Sequence, residues 1–287
     1  FLDAACAGLS TLVFVGSVGW GYGTASTVPE RASLAYRIYK WLVIIPFLGA
    51  STTLIGIIIT CLSYLGAPDF ASRVFGSLWA RLNVGVSRVK LKVVGREHLV
   101  PHQSYVIIAN HQSLFDILLL YGFFYLDIKW VTKTELRRLP VLGFACAAMG
   151  HILIDRSNTS AALACINKAS ERIKNGISVV FFPEGTRSRN ANLLPFKKGA
   201  FRLAVELQLP ILPVTIIGSG NILPNGGLNL RPGTASLIFG APISTRGHSS
   251  DDLTSLIAIS RDAMSRQLGQ ATKETKTTAE ASTTEPA

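Results

Sequence analysis

Short apolar runs that stop at polar or turn-forming residues recur through the middle of the chain at lengths that suit buried strands. Val106–Ala109 and Val179–Phe182 are the clearest, and Ile128–Val131, Ile152–Ile154, Ile211–Ile216 and Ala235–Phe239 read the same way. Between these runs the apolar positions fall at helical intervals. Residues 159–174 place Leu163, Ile166, Ser170 and Ile173 on one face and meet a stop at Gly176. Residues 250–268 predict another helix, with Ser249 and Asp252 at capping-box spacing and Gly269 as the stop. Strands alternating with helices predict an α/β fold, a sheet of mostly parallel strands with helices on both faces.

Ahead of residue 70 the texture is different. No Asp, Glu, Lys, Arg or His interrupts residues 4–29 or residues 41–68. From Trp41 to Tyr64 a helix would cover roughly 35 Å, enough to cross a hydrocarbon core, and its aromatic ends suit the two interfaces. Pro46, Gly49 and Gly56 argue for a bent or re-entrant segment instead of a straight one. The first stretch is glycine-rich, weaker as a span, and also fits a signal-like fragment. If both stretches cross, Arg31, Arg37 and Lys40 lie opposite Arg73, Arg81, Arg88, Lys90 and Lys92, although both clusters call for the same side. Two helices dipping into one leaflet satisfy both. The expected organisation is a membrane-associated hydrophobic helical segment over 1–69, an α/β domain over 70–269 and a disordered Thr-, Ala-, Lys- and Glu-rich tail over 270–287. The sequence opens at Phe1 without a Met, and an upstream piece is expected.

Composition sharpens this picture. Hydrophobic residues make up 48% of the 287 positions and charged residues 16%, a balance that places part of the chain against lipid. A formal net charge of +11 attracts polyanions: nucleic acid, anionic headgroups, or phosphorylated substrates and carriers. Cys6, Cys61, Cys146 and Cys165 show neither CxxC spacing nor a neighbouring His at metal-ligand spacing, which reads as free thiols with no disulfide framework and no zinc.

Two polar blocks follow strands. The first is Asn110-His111-Gln112-Ser113-Leu114-Phe115-Asp116. Residues five apart in one regular helix point about 140° away from each other. The two can meet if His111 sits on the turn before a helix, with Ser113 the cap and Asp116 the third helical residue; there the carboxylate can reach back to the imidazole, fix its tautomer and strengthen the other nitrogen as a base. Ser113 and Asp116 equally fit a plain capping box, with His111 a polar loop residue. The second block is Phe182-Pro183-Glu184-Gly185-Thr186-Arg187-Ser188. Gly185 lets a backbone approach a ligand closely. Arg187 offers a fork of donors matched to phosphate, and Glu184 suits either that arginine or a substrate hydroxyl. A surface Glu–Arg ion pair in a polar turn is the plainer alternative. Ligands sit outside the carboxyl ends of strands in open α/β sheets, so the two blocks share one edge if their strands are parallel. Gly150-His151-Ile152-Leu153-Ile154-Asp155-Arg156 ends in an Asp–Arg pair, which leaves Arg156 as either a second phosphate cation or a salt-bridge partner. Lys133 is a third cation candidate or an ordinary solvated lysine. Phe196-Lys197-Lys198-Gly199 opens a helix and reads as an anion-favouring N-terminus or a solvated basic turn. His98, His102, His151 and His248 have no carboxylate five residues on and read as structural or surface residues.

Together these blocks resemble the glycerolipid acyltransferase family, whose bacterial members acylate lysophosphatidic acid. The resemblance covers about residues 85–243. His111 with Asp116 looks like the family's His-x4-Asp block and Gly150 to Arg156 is similar to its second, with Leu153 where an aromatic residue is common. Phe182 to Ser188 matches the third, and Leu209-Pro210-Ile211-Leu212-Pro213-Val214 looks like the fourth. The resemblance implies direct transfer from an acyl thioester, acyl-CoA or acyl-ACP, to a hydroxyl of 1-acyl-sn-glycerol 3-phosphate, with no covalent acyl-enzyme, no cofactor and no metal. His111 is then the general base and Asp116 its orienting partner. Glu184, Gly185, Thr186 and Arg187 are expected to bind the acceptor's glycerol phosphate, assisted by Arg156 and Lys133. The implied partners are membrane lipids, lysophosphatidic acid and the anionic thioester carrier, and the implied location is a membrane with the α/β domain on the cytoplasmic side.

Two rivals lie alongside. A different acceptor (glycerol 3-phosphate, another lysophospholipid or a lyso-aminolipid) fits the same motifs, and a basic membrane-anchored scaffold without catalysis fits the composition. Nucleic acid is not an expected partner: the chain has no zinc-finger, basic-zipper or RNP-like motif, and its lysines are not interleaved with aromatics.

Overall fold

The structure, a computed structural model, describes residues 33–154, 173, 176–188, 192–249 and 253–283. Seven strands form one sheet: β1 (Val89–Val94), β2 (Val106–Ala109), β3 (Asp127–Lys133), β4 (Ile152–Ile154), β5 (Ile177–Phe181), β6 (Ile211–Ile217) and β7 (Gly233–Phe239). Their order is β1-β7-β6-β2-β5-β3-β4, and every neighbouring pair is parallel except β6 with β7. The expected strands are all present within two residues of their expected ends. β1 was not separately expected, because Lys90 and Lys92 alternate with its apolar positions and obscure the run.

Side chains on a strand alternate between its faces, and the two faces of the sheet feed two cores. Ile107 and Ala109 of β2 join a cluster with Leu119 and Leu120 of α3 (Phe115–Phe123) and Ala145 of α4 (Leu142–Ala148). Val106 and Ile108 join another with Phe201 and Ala204 of α5 (Gly199–Glu206) and Leu256 and Met264 of α7 (Thr254–Thr283). The short α6 (Ser219–Ile222) follows β6. Helices therefore cover both faces, as the near-continuous apolar central strands require.

The expected helix over 159–174 lies outside the described residues. At the other end α7 runs through Gly269, so the chain neither stops its helix there nor starts an irregular tail at 270. Ala, Lys, Glu and Gln, among the better helix formers, are interspersed with the threonines of the tail, and one internal glycine costs only about 1 kcal/mol against alanine.

The apolar segment forms α1 (Leu34–Tyr64), long and apolar enough by length and composition to cross a membrane. Its turns widen at Lys40–Ile44, just before Pro46. It begins seven residues earlier than the uncharged run, so Arg37 and Lys40 lie within a helix and not in a loop. Lys40 is accommodated because its ammonium donates to Leu228 O at 3.1 Å, on the α/β domain. One stripe of α1 (Tyr36, Ile44, Ser51, Ile55, Ile59) is buried, while Leu34, Leu42, Leu54 and Ile57 on other faces are exposed. The second helical element, α2, comprises Pro68–Ala71, a wider turn over Ser72–Gly76, and Ser77–Val86. Polar side chains fasten the two: Trp79 Nε1 donates to Thr52 Oγ1 at 3.1 Å and Asn83 Nδ2 to Ser51 Oγ at 3.1 Å. Gly56 seats α1 against the turn before α4, where a methyl group in its place would lie 2.7 Å from Val141 Cγ1.

Candidate active site

β2 and β5 are parallel neighbours, with Val106 opposite Val179 and Ile108 opposite Phe181. The Asn110–Asp116 and Phe182–Ser188 blocks consequently leave the sheet side by side at its carboxyl edge. Asn110, 1% exposed, extends the β2–β6 ladder with its side chain: Nδ2 donates to Ile216 O at 2.8 Å, and Oδ1 accepts from Ile216 N at 2.7 Å. That clamp fixes where the turn begins.

His111 sits on the turn and Asp116 in the first turn of α3. Asp116 is completely buried and His111 is 14% exposed. Asp116 Oδ2 gathers three N–H donors: His111 Nδ1 at 2.8 Å, Gln112 N at 2.8 Å and Ser113 N at 2.9 Å. The catalytic-pair and capping readings are thus both satisfied by one carboxylate oxygen. With Nδ1 held as a donor, Nε2 is the nitrogen left free to accept a proton. The ring is held flat against Phe182, centroids 3.9 Å apart and planes 13° from parallel. Ser113 completes the turn, its hydroxyl donating to Leu223 O at 2.7 Å and accepting from Phe115 N at 3.0 Å.

Glu184 does not line the cavity as the motif alone implied. It is 4% exposed and braces the turn from beneath. Oε1 accepts from His111 N at 3.0 Å and Oε2 from Leu194 N at 3.0 Å. Burial pushes its carboxyl above the usual range, and the two backbone donors pull it back. The block is further tied to the first by Ser188 N, which donates to His111 O at 2.8 Å. Gly185 adopts φ +71°, and a Cβ there would meet Lys197 Cε and Nζ at 2.7 Å. The Lys197 ammonium therefore lies over the Gly185 turn, a cation that sequence reasoning assigned only to a helix start. Nothing in the spacing of residues 185 and 197 signals the contact; it follows from Lys197 N donating to Pro183 O at 2.8 Å.

A cavity of about 340 Å³ adjoins this edge, lined by His111, Phe182, Gly185, Thr186 and Arg187 together with a larger share of apolar residues. The latter come from both parts of the chain, including Ile55 and Ile59 of α1, Trp79 of α2 and Leu142 of α4. Its size is that of a ligand site. His151, expected to be structural, also lines it. Its imidazole is lowered to about 3 by burial and then by the nearby Lys129 ammonium, and so is neutral. Cys146 lines it too, its thiol pushed up to about 12 by burial. Lys133 ends β3 at the same carboxyl edge, paired in register with Ile154. Arg156 lies outside the described residues.

Comparison with known proteins follows the same outline. Residues 90–217 match the Acyltransferase family model. A 1-acyl-sn-glycerol-3-phosphate acyltransferase of Chlamydomonas reinhardtii is 34% identical over 172 residues, covering 58% of this chain and 51% of the relative. A chloroplastic enzyme of that name from Brassica napus is 38% identical over 170 residues, covering 58% of this chain and 48% of the relative. This chain thus spans about half the length of those relatives. The 1-acyl-sn-glycerol-3-phosphate acyltransferase alpha of Mus musculus is 33% identical, covering 61% of this chain and 62% of that protein. Among solved structures, the 1-acyl-sn-glycerophosphate (LPA) acyltransferase PlsC from Thermotoga maritima shares the fold, with a TM-score of 0.69 at 24% identity, over 83% of this chain and 95% of that one. The four ordered sequence blocks, the adjacent turns at the sheet edge and these likenesses converge on residues 90–217, which resemble an Acyltransferase-family domain.

Proposed function

We propose that this chain transfers a fatty acyl group from an acyl thioester to the free hydroxyl of 1-acyl-sn-glycerol 3-phosphate, forming phosphatidic acid. The observation that carries the proposal is the buried Asp116 carboxylate on His111 Nδ1 at 2.8 Å, with that imidazole lining a largely apolar cavity beside the Gly185–Arg187 turn. His111 Nε2 accepts the proton of the acceptor hydroxyl as its oxygen attacks the thioester carbonyl. The C–S bond breaks, the thiolate leaves, and the imidazolium returns the proton to sulfur. Asp116 remains ionised and stabilises the imidazolium meanwhile. The transfer is direct, with an ester and a free thiol as products.

The glycerol phosphate is assigned to the Gly185–Arg187 turn. Arg187 and Lys197 supply charge there, Lys133 stands on the same sheet edge, and Arg156 follows β4 in sequence. Glu184 acts on the acceptor indirectly, by holding the His111 backbone. The apolar part of the cavity suits a hydrocarbon chain, and the net charge of +11 suits an anionic carrier, coenzyme A or acyl carrier protein. The thioester is a co-substrate, and this chemistry draws on no metal or further cofactor. We assign the domain to the cytoplasmic surface of a membrane, with the exposed apolar faces of α1 and α2 in lipid. The polar ties of α1 to the α/β domain support helices dipping into one leaflet.

The test is a panel of acceptors offered to purified protein in phospholipid vesicles with palmitoyl-CoA and with palmitoyl-ACP. Lysophosphatidic acid, glycerol 3-phosphate, lysophosphatidylcholine and a lyso-aminolipid would be compared by mass spectrometry of the products. Phosphatidic acid from the first acceptor at the highest kcat/KM is expected. Preference for another acceptor would reassign the substrate, and no transfer to any of them would remove the activity.

A further inference from the structure

The C-terminal helix reaches the active site through a single peptide group. Arg261, on the exposed side of α7, donates from Nη2 to Leu193 O at 2.8 Å. The carbonyl of Leu193 and the N–H of Leu194 belong to the same peptide unit, and that N–H donates to Glu184 Oε2 at 3.0 Å. Glu184 Oε1 in turn accepts from His111 N at 3.0 Å. The loop holding this peptide is also tied where Ser188 Oγ donates to Asn192 O at 2.8 Å. An unbroken series of hydrogen bonds therefore runs from a guanidinium on α7 to the backbone of the residue whose imidazole faces the cavity.

From this we infer that Arg261 is a positioning residue for the transfer proposed above: it holds the 193–194 peptide in the orientation that lets Glu184 fix the His111 turn. The inference rests on that activity, and it gives the helix beyond the matched stretch of 90–217 a part in the reaction. Physical chemistry favours the arrangement twice over. A charged donor on a peptide carbonyl polarises the whole amide, so the N–H at its other end becomes a stronger donor. That N–H falls on a buried carboxylate, where every donor counts because water cannot replace it. The Leu194 and His111 donors oppose the upward push of burial on the Glu184 carboxyl. His111 and Asp116 also act on that carboxyl, the first lowering and the second raising it. Lys197 is a further charge nearby, over Gly185. Loosening the 193–194 peptide raises the Glu184 carboxyl further. A protonated Glu184 holds the His111 N–H less firmly, so the acid side of the pH–rate profile moves to higher pH.

The decisive variant is Arg261→Met, which keeps an apolar stem and removes the donor. In vesicle-reconstituted protein kcat should fall about three- to tenfold, the range expected for one largely exposed hydrogen bond. The KM for palmitoyl-CoA and for lysophosphatidic acid should be unchanged, and the acid limb should shift upward. The unfolding temperature should hardly move, since Arg261 is exposed. Arg261→Lys keeps a donor and should recover most of the loss. Glu184→Gln combined with Arg261→Met should be no worse than Glu184→Gln alone, because both interrupt one series. Wild-type kcat and pH profile in Arg261→Met, or fully additive losses in the pair, would overturn the inference. A raised KM for the donor with kcat intact would overturn it in a different way: Arg261 also lines a polar cleft with Gln112 and Asn221, and would then be a ligand contact. The imidazole resonance of His111 in isotope-labelled protein gives a readout independent of turnover. If the unmodified protein transfers no acyl group, the proposed activity fails, while displacement of that resonance by Arg261→Met still tests the hydrogen-bonded series alone.

Discussion

Asp116→Asn isolates the charge of the carboxylate from its geometry, for a reason visible in its surroundings. Oδ2 faces three N–H donors, whereas Oδ1 is buried with no hydrogen-bond partner among the described residues. An asparagine therefore settles with its oxygen toward His111, Gln112 and Ser113, because the reverse flip would point an NH2 group at three other donors. The imidazole keeps its tautomer and its orientation. What disappears is the negative charge beside the imidazolium formed when the acceptor hydroxyl is deprotonated. Two unit charges about 4 Å apart at an effective dielectric near 20 attract by about 4 kcal/mol, which is about a thousandfold in rate. The NH2 group at the Oδ1 side also becomes a buried unpaired donor and costs about 1–3 kcal/mol of stability. The assay is steady-state release of coenzyme A thiol from palmitoyl-CoA in vesicles containing lysophosphatidic acid, alongside thermal unfolding of the same preparation. A kcat about 10²- to 10⁴-fold below the wild type, with KM for the acceptor unchanged, is the expected result. A folded Asp116→Asn protein within tenfold of wild-type kcat would refute the idea that Asp116 stabilises the imidazolium, and leave it as a helix cap.

Three further outcomes follow from other parts of the molecule. His151 is neutral in the folded state because its imidazole is lowered to about 3, so its contribution to stability is complete above about pH 6.5 and is lost as the pH falls toward 3. Thermal unfolding should show the wild type losing about 2 kcal/mol more than His151→Gln between pH 6.5 and pH 5, and parallel curves would count against a buried neutral imidazole. Arg187→Lys keeps a positive charge but not the planar two-point grip on phosphate, and should lower kcat/KM for lysophosphatidic acid about ten- to a hundredfold with the donor KM intact; a loss confined to the donor would move Arg187 to the carrier's phosphates. Removing residues 1–65 should abolish salt-resistant membrane attachment and also long-chain transfer, since Ile55 and Ile59 line the cavity; sedimentation with vesicles at high salt and turnover on short and long acyl thioesters separate the two losses.

The sheet was legible because its central strands are buried on both faces. Val106–Ala109 shows no exposed position at all, and a run of four apolar residues before Asn110 has few other readings. For His111 and Asp116 the spacing showed only that a turn was needed for the two to meet; it fitted a capping box as well, and the pairing itself came from the resemblance of the ordered blocks to a known family. What the sequence concealed depends on contacts between distant segments. Lys40 reads as the end of an apolar run, yet α1 passes straight through it because Leu228 O, far along the chain, accepts its ammonium. Glu184 reads as a ligand contact because it adjoins Gly185 and Arg187. The turn at Gly185 instead directs it inward, onto two backbone N–H groups that no periodicity announces. Gly269 reads as a helix stop, a local signal that the stronger helix formers on either side override.

Placed together, the two acids explain how one residue is held rigid without being neutralised. His111 is gripped at its ring by Asp116 and at its backbone by Glu184, both buried, yet the environments differ in kind. Asp116 Oδ2 is met by three N–H groups, one of them the imidazole itself. Glu184 has one N–H on each oxygen and a carboxyl raised by burial, so it loses its charge at a higher pH than an ordinary glutamate. Acidification should thus loosen the backbone of the turn through Glu184. The Arg261 and Glu184 variants are therefore expected to move the acid limb of the profile, whereas Asp116→Asn, which removes the charge beside the imidazolium and keeps the geometry, lowers its height.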